Sequence, residues 1–68
     1  MVEWVHVRSE AIRRVGYESG TQRMYIDFHD STPQYTFCRV PERVFRDFVG
    51  AGSVGSYYHR YIKDRYQC

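Results

Sequence analysis

The sequence predicts an α+β domain, a three-stranded antiparallel β-meander followed by two short helices packed on one face. Three observations predict it. Apolar and polar residues alternate along Arg23–His29 and again along Gln34–Arg39, with turn residues before each stretch. At Val40-Pro41 the period of two gives way to a helical one. No repeat, low-complexity tract or Pro/Gly linker divides the 68 residues, so residues 1–68 read as one domain, with 1–6 as a loosely ordered N-terminal arm.

The first strand is expected at Arg13–Tyr17. Its apolar residues Ile12, Val15 and Tyr17 are spaced by three and then two, which suggests a bulge. Gly20 marks a turn, and the next strand sets Met24, Ile26 and Phe28 against Arg23, Tyr25, Asp27 and His29. Asp30-Ser31-Thr32-Pro33 forms the second turn, and the third strand places Tyr35 and Phe37 on one face and Thr36 and Cys38 on the other. Three strands with tight connections make a meander.

Pro41 suits the first position of a helix, because its fixed φ is helical and its missing N–H would have no partner there. Val44, Phe45, Phe48 and Val49 then form an apolar stripe opposite Glu42, Arg43, Arg46 and Asp47, and Gly50 stops the helix. Ser53 caps a second helix, in which a 100° step groups Val54, Tyr57, Tyr58, Tyr61 and Ile62 on one arc.

Composition narrows the function. An apolar content of 43% with 26% charged residues describes a globular chain rather than a disordered one. Aromatics make up 18%, which lets a short chain fill a thin core or build a contact surface. The net charge of +2 is too small to demand a nucleic acid, although nine of the ten basic residues are Arg, whose planar fork suits phosphate. Cys38 and Cys68 are too few for a disulfide framework and are expected as free thiols in a reducing compartment. With no basic leader and no apolar run of membrane length, the cytoplasm is the expected location, with no membrane partner.

The order Ser9, Ile12, Val15-Gly16-Tyr17, the alternating Met24, Ile26 and Phe28, Tyr35-Thr36-Phe37, Val40-Pro41 and Ala51-Gly52-Ser53-Val54-Gly55-Ser56-Tyr57-Tyr58 resembles the KTSC domain. That family is a small bacterial and phage module named for its occurrence at the C-terminus of some lysyl-tRNA synthetases. The resemblance covers about Val7 to Tyr66 and implies a stand-alone or appended module, for which RNA binding has been suggested. The chain departs from the family pattern at Phe37, where a second Tyr is usual, at Glu10, where a Ser is common, and at His59, where Asn follows the aromatic pair.

No nucleophile and base converge in the sequence, and no phosphate-cradling glycine loop is present, so no catalytic residue is assigned. His6, His29, His59, Cys38 and Cys68 match no metal-ligand spacing, and no cofactor is expected. The expected function is a non-catalytic binding module for RNA or for a protein. Tyr57 with Arg60 and Lys63 on the last helix forms one candidate surface, and Tyr35, Phe37 and Arg39 form the other. Alternation leaves open which face Tyr35 and Phe37 occupy, and the area a thin core must bury favours the inner one.

Overall fold

The computed structural model of the chain describes residues 1–30 and 33–68. Ser31 and Thr32, the centre of the second expected turn, lie outside the described residues. The elements are β1 (Glu3–His6), β2 (Ile12–Glu18), β3 (Arg23–Phe28), β4 (Tyr35–Phe37), α1 (Glu42–Val49) and α2 (Val54–Tyr57), which runs into a π-helical turn at Tyr58–Ile62. One antiparallel sheet orders the strands β1-β2-β3-β4. The α+β meander is therefore present as β2-β3-β4, with a fourth strand added at its edge.

That added strand corrects the expectation of a loose arm at residues 1–6, and two cross-strand pairs account for it. Val5 sits opposite Val15 on the inner face, where its partly buried side chain extends the core. Trp4 sits opposite Gly16 on the outer face, and its ring lies against the bare backbone there. A Cβ at Gly16 would come within 2.6 Å of that ring. The Arg14 guanidinium stands 4.0 Å from the Trp4 ring centroid, and Tyr25 flanks it at 6.2 Å, so the indole is fixed to the sheet by contacts on several sides. Glu3 then accepts two hydrogen bonds from Arg46 at 2.7 and 2.9 Å, tying β1 to α1. That pairing holds the Glu3 carboxyl below its ordinary range.

The irregular spacing of Ile12, Val15 and Tyr17 is a bulge. The β2–β3 register shifts between Ile12 and Arg14, leaving Arg13 as the extra residue. Without it Ile12 would face away from Val15 and Tyr17. With it all three are buried on one face. Ser9 shapes the approach, its Oγ accepting from the amides of Ala11 and Ile12 at 3.1 and 3.2 Å.

Ile12, Val15, Tyr17, Met24, Ile26 and Phe37 from the inner sheet face meet Val44, Phe45 and Phe48 of α1, with Val40, Val54 and Ile62 completing the core. The Tyr17 ring stacks on Phe45 at 4.9 Å, and its hydroxyl donates to the Val40 carbonyl at 2.6 Å. Burial, with a smaller contribution from Glu42, pushes the Tyr17 phenol pKa up. Pro41 caps α1 from outside it rather than occupying its first turn, and its carbonyl accepts from Val44 and Phe45.

Ser53 caps α2 as expected, accepting from the Ser56 amide at 3.3 Å. The single apolar arc drawn for this segment holds at Val54 and Ile62 and fails at Tyr61, which is 46% exposed. The π turn is the reason. Lys63 N–H reaches back five residues to Tyr58 O at 2.8 Å, and the wider turn rotates Tyr61 out of the arc.

Cys38 and Cys68, expected as free thiols, are joined by a disulfide between Cα atoms 4.9 Å apart. After the π turn the chain folds back along β4. Cys38 N–H donates to Tyr66 O at 2.7 Å, and the Arg39 Nη2 donates to Gln67 O at 3.3 Å. That return brings the two half-cystines together across 30 positions.

Candidate functional site

Between the end of β3, strand β4, the π turn and the returning tail lies a groove of about 650 Å³. It forms because the aromatic residues outnumber the positions that can be fully buried. Ile26 and Met24 fill the centre of the inner face, and Phe28, at the strand end, reaches only the margin and is half-buried. The alternation puts Phe28 on one face with the buried Met24 and Ile26, and its position at the sheet's end leaves it only half-buried.

Phe28 organises the wall. Tyr35 meets it edge-on at 5.1 Å and Tyr58 at 5.3 Å, while Tyr58 also lies edge-on to the buried Phe37 at 6.3 Å. Tyr35 is 48% exposed, so one ring of this cluster is open to a ligand. Burial, followed by the charges of Tyr35 and Asp64, raises the Tyr58 phenol pKa. Lys63 and His59 stand on the rim, as do Asp30 and Asp64, and Gln67 with Cys68 forms the opposite side.

The structure gathers some of the expected binding residues and separates others. Tyr35 and Lys63 line the groove together. Phe37 is 7% exposed and serves as floor, so it offers no free contact face, which corrects its place among the surface candidates. Arg39 turns toward the tail backbone from a left-handed φ of 56°. Tyr57 lies against α1, stacked on Phe48 at 5.6 Å and tilted against Tyr61 at 4.7 Å. Its phenol pKa is raised by burial and then by Asp47. Arg60 is exposed and does not line the groove.

Phe28, Tyr58 and the half-cystine Cys68 were missed as groove residues. A signal existed for Phe28, since the last apolar residue of an alternating strand often lies at a sheet margin. None existed for Cys68.

A second, more polar cleft of about 430 Å³ separates Ser9 and Glu10 from Ser53 and Ser56. The Ser53 hydroxyl donates to Ser56 Oγ at 3.0 Å, so the serines satisfy one another there. Among the described residues no group of His, Cys, Asp and Glu converges to hold a metal ion, and no helix is long and apolar enough to cross a membrane.

Among the described residues Arg14 pairs with Asp27, and Arg46 bridges Glu3 and Glu42, so the Arg46 cluster carries a net negative charge and the formal net charge stays at +2.

Comparison with known proteins adds three findings. A crystal structure of a KTSC domain protein from Yersinia pestis superimposes with a TM-score of 0.92 at 28% identity, covering all of this chain and 94% of that one. A lysine–tRNA ligase of Trichormus variabilis is 36% identical over 56 residues, which is 82% of this chain and 10% of the ligase. The KTSC domain family matches residues 8–66, taking in every element from β2 to the tail, and the chain belongs to that family.

Proposed function

We propose that this domain is a non-catalytic module that binds single-stranded RNA in the aromatic groove. A base stacks on the exposed ring of Tyr35, Phe28 and Tyr58 back that ring, and Lys63 with His59 contacts the adjoining phosphate. The observation that carries the reading is a half-exposed tyrosine set on an aromatic wall with an ammonium on the same rim. The likeness to a lysine–tRNA ligase supports it.

Anisotropy of labelled tRNA and of an unstructured RNA, measured over a salt series, tests the reading. Tyr35→Ala is expected to lose about 1–3 kcal/mol of binding with little change in salt dependence. Lys63→Ala is expected to flatten the logarithmic salt slope by about 0.7. Binding no tighter than millimolar at low salt rejects the proposal.

The second reading is a protein segment bearing a basic residue, which Asp30 and Asp64 on the rim favour. Its signature is binding of a basic aromatic peptide that Asp64→Asn weakens. A cytoplasmic setting suits the RNA reading, although the paired cysteines remove the free-thiol argument for it.

A further inference from the structure

We propose that the Cys38–Cys68 disulfide is a redox latch on the groove: closed, it holds the tail as the groove's outer wall, and opened by a dithiol, it releases that wall and weakens RNA binding. This inference rests on the groove being the RNA site.

Placement is the first argument. Cys38 is half-buried at the exit of β4, whereas Cys68 is exposed, with its Sγ 3.8 Å from the Thr36 carbonyl oxygen. Gln67 and Cys68 line the groove directly. What fastens them to the sheet, besides the disulfide, is the Cys38 N–H bond to Tyr66 O, the partly buried packing of Tyr66 against the core and the exposed bond from Arg39 to Gln67 O. Gln67 and Cys68 themselves are exposed and add nothing to the buried core.

The second argument is backbone conformation. Among the described residues four non-glycine ones have φ in the left-handed region, and three of them belong to this junction: Arg39 at 56°, Asp64 at 62° and Tyr66 at 57°. Such conformations are unfavourable for side chains with a Cβ and persist where surrounding contacts impose them. A tail bent in this way is expected to relax when its covalent tie is cut.

The third is chemical setting. An RNA partner places the domain in a reducing compartment, where disulfides are characteristically transient and sensing. A thiolate of the dithiol attacks the exposed Cys68 sulfur and displaces the Cys38 thiolate. The second thiol then resolves the mixed disulfide. Two electrons pass to the cysteines, both end as thiols carrying the protons the dithiol gave up, and the reductant leaves as its own disulfide.

The test compares the oxidised chain, the chain reduced with dithiothreitol under anaerobic conditions, and the Cys38→Ser/Cys68→Ser variant, with circular dichroism reporting the fold of each. Amide exchange at Cys38, whose N–H is bonded to Tyr66 O, reads the tail, and anisotropy with unstructured RNA reads the groove. The expected result is faster exchange at Cys38 and RNA binding weaker by about fivefold or more on reduction, the lower end of ordinary coupling between sites. By reciprocity, saturating RNA raises the dithiothreitol concentration needed for half reduction by the same factor.

Equal RNA affinity in the two redox states overturns the latch and leaves the RNA site standing. If neither state binds RNA, the functional reading fails and exchange decides the latch alone: unchanged protection at Cys38 overturns it, and lost protection with an intact sheet upholds the released tail. Should the double Ser variant unfold, the reduced parent chain supplies both measurements.

Discussion

Replacing Gly16 by Ala sets a methyl group 2.6–2.9 Å from three ring carbons of Trp4, where ordinary carbon contacts are about 3.5–4.0 Å. The indole must lift from the sheet, leaving the Arg14 guanidinium at 4.0 Å and the Tyr25 ring at 6.2 Å. Overpacking of this kind costs about 1–3 kcal/mol. Among the described residues no glycine has a positive φ, so the backbone itself accepts Ala at position 16.

The three atoms nearest the new methyl all belong to Trp4, which gives the substitution the opposite sign once the ring is gone. In a Trp4→Ala background, Gly16→Ala is expected to stabilise by about 0.4–1 kcal/mol, since it removes conformational freedom from the unfolded chain. The coupling between the two positions is then about 1.5–4 kcal/mol by the difference of those two figures. Trp4→Ala alone should cost about 2–4 kcal/mol for an indole that is 36% exposed. Urea unfolding of the four proteins completes the cycle. A Gly16→Ala penalty of equal size in both backgrounds would refute the argument that Trp4 is why Gly16 is needed and that β1 is fastened through this pair.

Two further predictions concern stability. Ser53→Ala removes the acceptor of the Ser56 amide and should cost about 1 kcal/mol, lowering Tm by roughly 4–8 °C with the sheet intact by circular dichroism; an unchanged Tm rejects the cap. The hydrogen bond from Arg14 Nε to Asp27, at 2.6 Å, outweighs the opposing effect of burial, and with a 2.9 Å bond from Gln34 it holds the Asp27 carboxyl below its ordinary value of 3.8. A depressed carboxyl contributes stability that is complete above the unfolded value and is lost as pH falls through the lower folded one. Stability should therefore decline below about pH 4, and Asp27→Asn should remove part of that decline. Urea midpoints measured from pH 6 to pH 2 check it, and parallel acid limbs for the two proteins would exclude Asp27 as a contributor.

What the sequence determined by itself was local. The period of two in β3 placed Met24 and Ile26 inward, the stripe of α1 buried Val44, Phe45 and Phe48, and the spacing of Ile12, Val15 and Tyr17 announced the bulge. These are legible because strand and helix periods repeat over a few residues and because a cap or a stop acts on its nearest turn. The order of motifs likewise carried the family. Only the tertiary structure decided that residues 3–6 are a strand, because four residues lack the propensity to declare one and Trp4 needs the bare backbone of Gly16 beneath it. It also decided that Tyr35 is open while Phe37, two residues along the same face, is floor: position relative to the sheet's margin, and not facing, sets that difference. The π turn that expels Tyr61 and the pairing of Cys38 with Cys68 depend on how the chain closes over β4, a contact between residues 30 apart that no local pattern encodes.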